Sequence, residues 1–174
     1  GNDFHVTFNV SPAQLKGSKG LVEHWRSIMG PTSFEDVGLI AEITEGMMVD
    51  NDSFTQHNLL SLHSAGIGVA IDDFGTGYSS LNYLTKINAQ VIKIDKSFTN
   101  NLIVNPKTDA LCEAIIAMAH KMGMQVVAEG VETQAQWDKL ADIGCDMAQG
   151  YFIAKPMPLE TLLATWKNPV SQVA

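Results

Sequence analysis

Six short apolar runs, each rich in β-branched residues and each closed by polar side chains, alternate with segments of helical period. That alternation restricts the chain to a small set of folds. The runs are Phe4–Val10, Val37–Ile43, Ile67–Ile71, Gln90–Ile94, Gln125–Ala128 and a weaker one at Asp146–Phe152. Most are apolar on consecutive residues, as strands of a parallel sheet are when both faces are covered. Between them, residues 108–122 set Leu111, Ile115, Met118, Ala119 and Met122 on one stripe, with Thr108 as N-cap and Gly123 past the last turn. Residues 133–143 open with Thr133 and Gln136 as a capping box, bury Trp137 and Leu140, and stop at Gly144. Residues 53–65 offer Phe54, Leu59, Leu60 and Leu62 before Gly66. Strand and helix in this order build right-handed β-α-β units around a parallel sheet.

The strand ends carry the chemistry. They read Asn9 and Ser11, Glu42 and Glu45, Asp72 and Asp73, Lys93 and Asp95, Glu129 and Glu132, and Gln149. In a (β/α) barrel the C-terminal ends of all strands form one functional face. A doubly wound open sheet gathers ligands only near its switch point, so contributions from every strand favour a TIM-like (β/α) barrel. A full barrel has eight strands and about 250 residues. The fold class expected is therefore α/β, an incomplete barrel with about six of eight strands. The missing units are expected ahead of Phe4, with one domain over residues 1–168 and a tail at 169–174. The C-terminal side is expected to be complete, since Lys155-Pro156-Met157-Pro158 leads into a helix holding Leu159, Leu162, Leu163 and Trp166.

Composition narrows the function. Net charge is −8 and the pI about 4.9, which argues against a general electrostatic grip on DNA or RNA. No apolar run approaches the roughly 20 residues of a membrane span, so this piece is expected to be cytoplasmic and free of membrane contact. Cys112 and Cys145 form no C-x-x-C pair and read as ordinary thiols in a reducing compartment. The five histidines show no zinc-ligand spacing. If the partner bears phosphate, something other than Lys and Arg must neutralise it.

Asp72 and Asp73 are adjacent, so in a regular strand they would point to opposite faces. Both reach one site only where the strand gives way, and Phe74-Gly75-Thr76-Gly77 is the expected turn. With Glu42 and Glu129 from neighbouring ends, the carboxylates cannot all stay ionised without a counter-charge. Divalent cations supply it, and oxygen-only ligands select Mg²⁺, Mn²⁺ or Ca²⁺. Two such ions about 3.5–4 Å apart, bridged by one carboxylate, are a recurrent device for phosphodiester cleavage. Lys93 is either an ion-pair partner of Asp72 or a donor to a reacting water or phosphate. Gly75-x-Gly77 lacks the third glycine of a dinucleotide fingerprint and reads as a flexible loop over the metals. Ser79 and Ser80 read as caps of the next helix.

These residues together resemble the EAL phosphodiesterases of bacterial cyclic di-GMP signalling. The motifs are Asn9-Val10-Ser11, Glu42-Ile43-Thr44-Glu45, Asp72-Asp73-Phe74-Gly75-Thr76-Gly77-Tyr78-Ser79-Ser80-Leu81, Lys93-Ile94-Asp95, Ala128-Glu129-Gly130-Val131-Glu132-Thr133 and Gln149-Gly150-Tyr151. The resemblance implies a modified barrel whose first strand is antiparallel. It implies two Mg²⁺ or Mn²⁺ ions per complete site, with Ca²⁺ inhibitory. Asn9, Glu42 and Asp72 would hold one ion, and Asp72 with Asp73 the second. Lys93 would position the attacking water, and Gln149 would orient it. Glu129 would be a further ligand or the proton acceptor. Glu45 would anchor the loop that begins with Phe74, Gly75, Thr76 and Gly77 and couples the metals to a homodimer interface. Glu132 would support the site.

The Glu-Ala-Leu signature, with its metal-binding glutamate and a substrate-binding arginine, has no counterpart in this sequence. The resemblance thus implies hydrolysis of cyclic di-GMP to linear pGpG by a parent domain, with this fragment alone inactive. The parent would be fused to a diguanylate-cyclase-like or sensory domain, and it could be membrane-anchored. A non-catalytic cyclic di-GMP receptor is the alternative, and an enolase-type barrel a more distant one. A six-stranded sheet has two raw edges, which invite pairing with another chain.

Overall fold

The computed structural model describes residues 5–17, 20–29, 38–49, 53–77, 84–85 and 87–167. Its strands are β1 (Val6–Asn9), β2 (Leu39–Thr44), β3 (Gly68–Phe74), β4 (Val91–Ile94), β5 (Gln125–Glu129) and β6 (Met147–Gln149). The helices are α1 (Pro12–Gly17), α2 (Leu21–Met29), α3 (Glu45–Val49), α4 (Ser53–Ser64), α5 (Lys96–Asn101), α6 (Pro106–Lys121), α7 (Gln134–Asp142) and α8 (Leu159–Lys167). All five pairings are parallel and the order is β1-β2-β3-β4-β5-β6, so each strand lies beside its sequence neighbour. That order is the winding expected of a barrel wall.

The core is built as the apolar runs require. Ile43, Ile71, Ile92, Ile94, Val126 and Ala128 are fully buried in the strands, and Leu15, Leu62, Leu102 and Ile116 pack over them from helices. The T-shaped contact of Phe8 with Trp25, centroids 4.4 Å apart, seats α2 against β1.

Several expectations shift. Thr108 is not the cap of α6: Asn105 Oδ1 accepts from Lys107 N at 3.0 Å, and Pro106 fills the first turn, where its missing N–H costs nothing. The buried stripe of α6 is Cys112, Ile116 and Ala119, which leaves Leu111 exposed. In α4 the buried positions are Thr55, Asn58 and Leu62, at i, i+3 and i+7, while Phe54 and Leu60 are exposed. Polar residues on that stripe hid it from hydropathy, and Asn58 Nδ2 repays burial by donating to Leu15 O at 2.6 Å. The Thr133–Gln136 capping box forms as read, and Leu140 is buried, but Trp137 is only partly so.

The last strand is shorter than Asp146–Phe152. Asp146 spends its carboxylate on Val126 N and His120 Nε2, both at 2.8 Å, and Gly150 begins a turn whose carbonyl accepts from Ile153 and Ala154. Gly150 has no room for a side chain, since a Cβ there would lie 2.1 Å from Val131 O. Phe4 and Val37, the proposed caps Ser79 and Ser80, and the tail at 169–174 lie outside the described residues.

Candidate metal centre and active site

Strand register explains how the polar ends converge. Side chains alternate across a strand, so residues two apart share a face. Asn9 pairs with Glu42, and Glu42 pairs with Ala70, two residues before Asp72. Ala70 pairs with Val91, two before Lys93; Lys93 pairs with Val127, two before Glu129; and Glu129 pairs with Gln149. Asn9, Glu42, Asp72, Lys93, Glu129 and Gln149 therefore all fall on one face of the sheet.

Asp73 breaks that parity and joins them by a different route. The β3–β4 register slips between Ile71, opposite Ile92, and Phe74, opposite Ile94. Two residues of β3, Asp72 and Asp73, thus oppose the single residue Lys93, which defines a β-bulge. Asp73 carries the twist with φ 54°, a left-handed conformation that short polar side chains tolerate. The sequence had assigned this reversal to the turn at Phe74–Gly77. The strand instead continues through Phe74, which is buried, and the bulge itself swings both carboxylates to one side. Asp72, Asp73 and Glu129 each place an oxygen within 4.8 Å of the others.

Lys93 sits in the middle of the acids. Its Nζ is 2.7 Å from Glu129 Oε1, 2.9 Å from Glu42 Oε1 and 3.0 Å from Asp72 Oδ1, and the lysine is only 5% exposed. Burial opposes its charge, but hydrogen bonds to Glu129, Glu42 and Asp72 outweigh that and raise its pKa above the ordinary 10.5. It is a permanent cation here, and its pairing stabilises the fold below that value for as long as the three carboxylates stay ionised. One ammonium shared among three carboxylates cannot satisfy each of them. Burial, with the nearby Asp72 and Glu42 charges, accordingly lifts Glu129 above its usual range despite Lys93. Burial and the Asp72 charge lift Asp73 likewise.

The sign of the pH effect follows. A carboxyl raised in the fold disfavours the folded state when ionised, so the metal-free protein gains stability as these groups protonate. Divalent-ion binding needs them ionised and runs the other way. Mn²⁺ affinity is therefore expected to start falling at a pH above 4.5, while the metal-free melting temperature rises. Mn²⁺ titrations and melting curves taken from neutral into acidic pH check both slopes.

The remaining candidates fall around this cluster. Glu45 is buried at the start of α3, and its Oε2 accepts from Gly75 N at 3.2 Å. Its carboxylate also lies against Gly77, so it holds the first residues of the loop after β3. Thr76 closes that turn by donating from N and Oγ1 to Asp73 O at 3.2 and 2.8 Å. Asn9 and Gln149 are exposed at the two ends of the row. Glu132 is exposed, and its backbone N–H rather than its carboxylate is engaged, with Gln136 Oε1 at 2.8 Å. Asp95 caps α5, its carboxylate accepting from Ser97 N at 2.9 Å, and its charge adds to those that raise Asp73. Burial opposes its ionisation, yet the Ser97 hydrogen bonds hold it below the ordinary carboxylate range. Gln136, which bridges two helices, was read only as a cap.

Both cysteines are free. No helix among the described residues is long and apolar enough to cross a membrane.

At the C-terminal edge of this parallel β/α sheet, Asp72, Asp73 and Glu129 form a candidate site for a hard cation, beside a buried lysine that pairs with Glu42, Asp72 and Glu129. The chain belongs to the EAL domain family, whose sequence pattern matches residues 1–156. It is 39% identical over 163 residues to the bifunctional diguanylate cyclase/cyclic di-GMP phosphodiesterase MucR of Pseudomonas aeruginosa, covering 94% of this chain and 24% of MucR. It is 36% identical over 163 residues to the cyclic di-GMP phosphodiesterase RocR of the same organism, covering 94% of this chain and 41% of RocR. The solved MucR phosphodiesterase in complex with c-di-GMP superimposes with a TM-score of 0.84, over 92% of this chain and 64% of that one, at 39% identity. Klebsiella pneumoniae BlrP1, solved in manganese/c-di-GMP and calcium/c-di-GMP complexes, superimposes with a TM-score of 0.79 at 27% identity, over 87% of this chain and 38% of that one. The chain thus spans between a quarter and two fifths of the two curated relatives described. Membership of this family replaces the enolase-type alternative.

Proposed function

We propose that the complete domain containing this chain hydrolyses cyclic di-GMP to linear pGpG with two divalent ions. The observation that carries this reading is the bulge in β3, which sets Asp72 and Asp73 together opposite Lys93 and beside Glu129. Regular β-structure would point adjacent carboxylates to opposite faces, whereas the bulge brings both to one side, where a bridged metal pair can use them. The donor set is carboxylate and amide oxygen, which suits Mg²⁺ or Mn²⁺. Asn9, Glu42 and Asp72 would hold one ion, and Asp72 with Asp73 the other, with Glu129 as a further ligand or the proton acceptor.

When bound, the ions would polarise the phosphodiester and make a water reactive near neutral pH. The chain's own residues do the rest. Lys93 presents a fixed positive charge to the phosphate as negative charge builds on it. Glu129, with its raised pKa, is suited to accept the proton of the attacking water. Gln149, beside Glu129 in the register, offers an amide that can orient that water. Water oxygen bonds to phosphorus, the bond to the leaving ribose oxygen breaks, and that oxygen takes a proton.

The same reading makes the active protein a homodimer coupled through the loop that Glu45 anchors. Fusion to a diguanylate-cyclase-like domain has a parallel in MucR, a bifunctional diguanylate cyclase/cyclic di-GMP phosphodiesterase. Chelation tests the proposal: EDTA is expected to abolish linear-product formation, and Mg²⁺ or Mn²⁺ but not Ca²⁺ to restore it. Hydrolysis that persists in EDTA would sink it.

A further inference from the structure

We infer that Gln136 is a positioning residue, which fixes the loop after Glu129 against helix α5 and thereby sets how tightly the site holds its metals. The inference rests on the reading of Glu129 as a metal-site residue.

Gln136 is 8% exposed and sits in the first turn of α7. Its Oε1 accepts from Glu132 N at 2.8 Å and Thr133 N at 3.0 Å, which completes the helix cap. A cap needs nothing more. The Nε2 nevertheless donates to Thr99 O at 3.2 Å, a buried bond that spans 37 residues and reaches α5. Thr99 is 1% exposed, and α5 starts three residues after Lys93. One amide group therefore ties the segment that follows Glu129 to the segment that follows Lys93.

Helix α5 is touched from both sides. Gly130, with φ +70°, lies so close to it that a Cβ would come within 2.5 Å of Lys96 Cβ. On the other side Phe98 lies under Gly75, where a Cβ would come within 2.8 Å of the ring. Gly75 directly follows the bulged strand that carries Asp72 and Asp73. The loop after β5 is also knit to β6, since Val131 N donates to Gln149 O at 3.1 Å and Phe152 N to Val131 O at 3.0 Å. The strand ends that bear Asp72, Asp73 and Glu129 are thus indexed to one short helix. Gln136 supplies the side-chain hydrogen bond that holds the Glu129 loop to it.

Three variants of the complete domain test this. Gln136→Glu keeps the oxygen that caps Glu132 and Thr133 but sets an oxygen against Thr99 O, where the amide had donated. Thr133→Ala removes the acceptor of Gln136 N and leaves the tie to Thr99 intact. Gln136→Met removes both functions at similar volume. The expected result is that Gln136→Glu raises the Mn²⁺ requirement, read as the dissociation constant in a calorimetric titration without substrate, about tenfold and lowers kcat with KM unchanged. Thr133→Ala is expected to lower the melting temperature without moving the Mn²⁺ requirement. If Gln136→Glu folds poorly, Gln136→Met and Thr133→Ala are compared at matched distance below their melting temperatures, and only the first should shift the Mn²⁺ requirement. An unchanged Mn²⁺ requirement in the Gln136 variants, or an equal shift in Thr133→Ala, overturns the inference. Glu129→Gln is the reference: if it also leaves the Mn²⁺ requirement unchanged, the underlying reading of Glu129 falls, whereas a large shift there beside inert Gln136 variants overturns the positioning role alone.

Discussion

Replacing Lys93 with methionine is expected to cost the metal-free domain about 3–5 kcal/mol and to make its stability strongly dependent on divalent ions. The wild-type lysine is buried between Glu42, Asp72 and Glu129, all within 3.0 Å of its Nζ. Methionine fills nearly the same volume, so packing is not the issue. What is lost is the cation that pairs with these three carboxylates, and stranded buried charges are the costly outcome of breaking such a group. Ions bound to the same acids would replace the missing charge, and ligands that bind only the folded state raise its stability. Denaturant unfolding with and without Mn²⁺ reads both effects, and the Mn²⁺-induced gain should be larger in Lys93→Met than in the wild type. Turnover should fall by about 10²–10³ even with saturating metal, because a fixed charge at the reacting phosphate is gone. A loss below about 1 kcal/mol would mean that the acids relax apart and that the lysine merely sits among them.

Asp73→Asn is the second large change, and its effect should fall on chemistry rather than on folding. Asp73 has φ 54°, which asparagine adopts about as readily as aspartate, so the bulge is expected to persist. The charge is removed with almost no change in shape. If Asp72 and Asp73 together hold the second ion, Mn²⁺ binding to the complete domain should drop from two equivalents to one. Asp73→Ala supplies the contrast, since alanine in a left-handed position adds a backbone penalty of about 1–2 kcal/mol. The two variants should then share the metal defect while only alanine lowers the melting temperature. Calorimetric titration with Mn²⁺, beside thermal melts, separates them.

The elements that were legible in the sequence are those where one signal dominates. Continuous β-branched runs marked the strands, because strands covered on both faces have no polar side to confuse the pattern. Strand ends marked the site, because the parity of Asn9, Glu42, Asp72, Lys93, Glu129 and Gln149 follows from sheet register once the strands are known. Helix faces were read less well. Thr55 and Asn58 are buried in α4 in place of Phe54 and Leu60, because a hydrogen bond across the fold satisfied a polar group that hydropathy sends to the surface. The means by which Asp73 turns inward was also hidden. A bulge is a relation between two strands, and nothing local distinguishes it from a turn one residue later. Gln136 was seen as half of a capping box, while its second bond reaches Thr99, far beyond any sequence window.

The central claim is that the bulged pair Asp72–Asp73 serves metal-assisted cleavage of a cyclic dinucleotide. The most direct test is the rate at which the complete domain converts cyclic di-GMP to linear pGpG in saturating Mn²⁺, wild type against Asp73→Asn, with both shown to be folded. A fall of at least about 10³ in kcat is expected, the scale associated with losing a principal source of charge stabilisation in the transition state. Equal turnover in the two proteins would contradict the account.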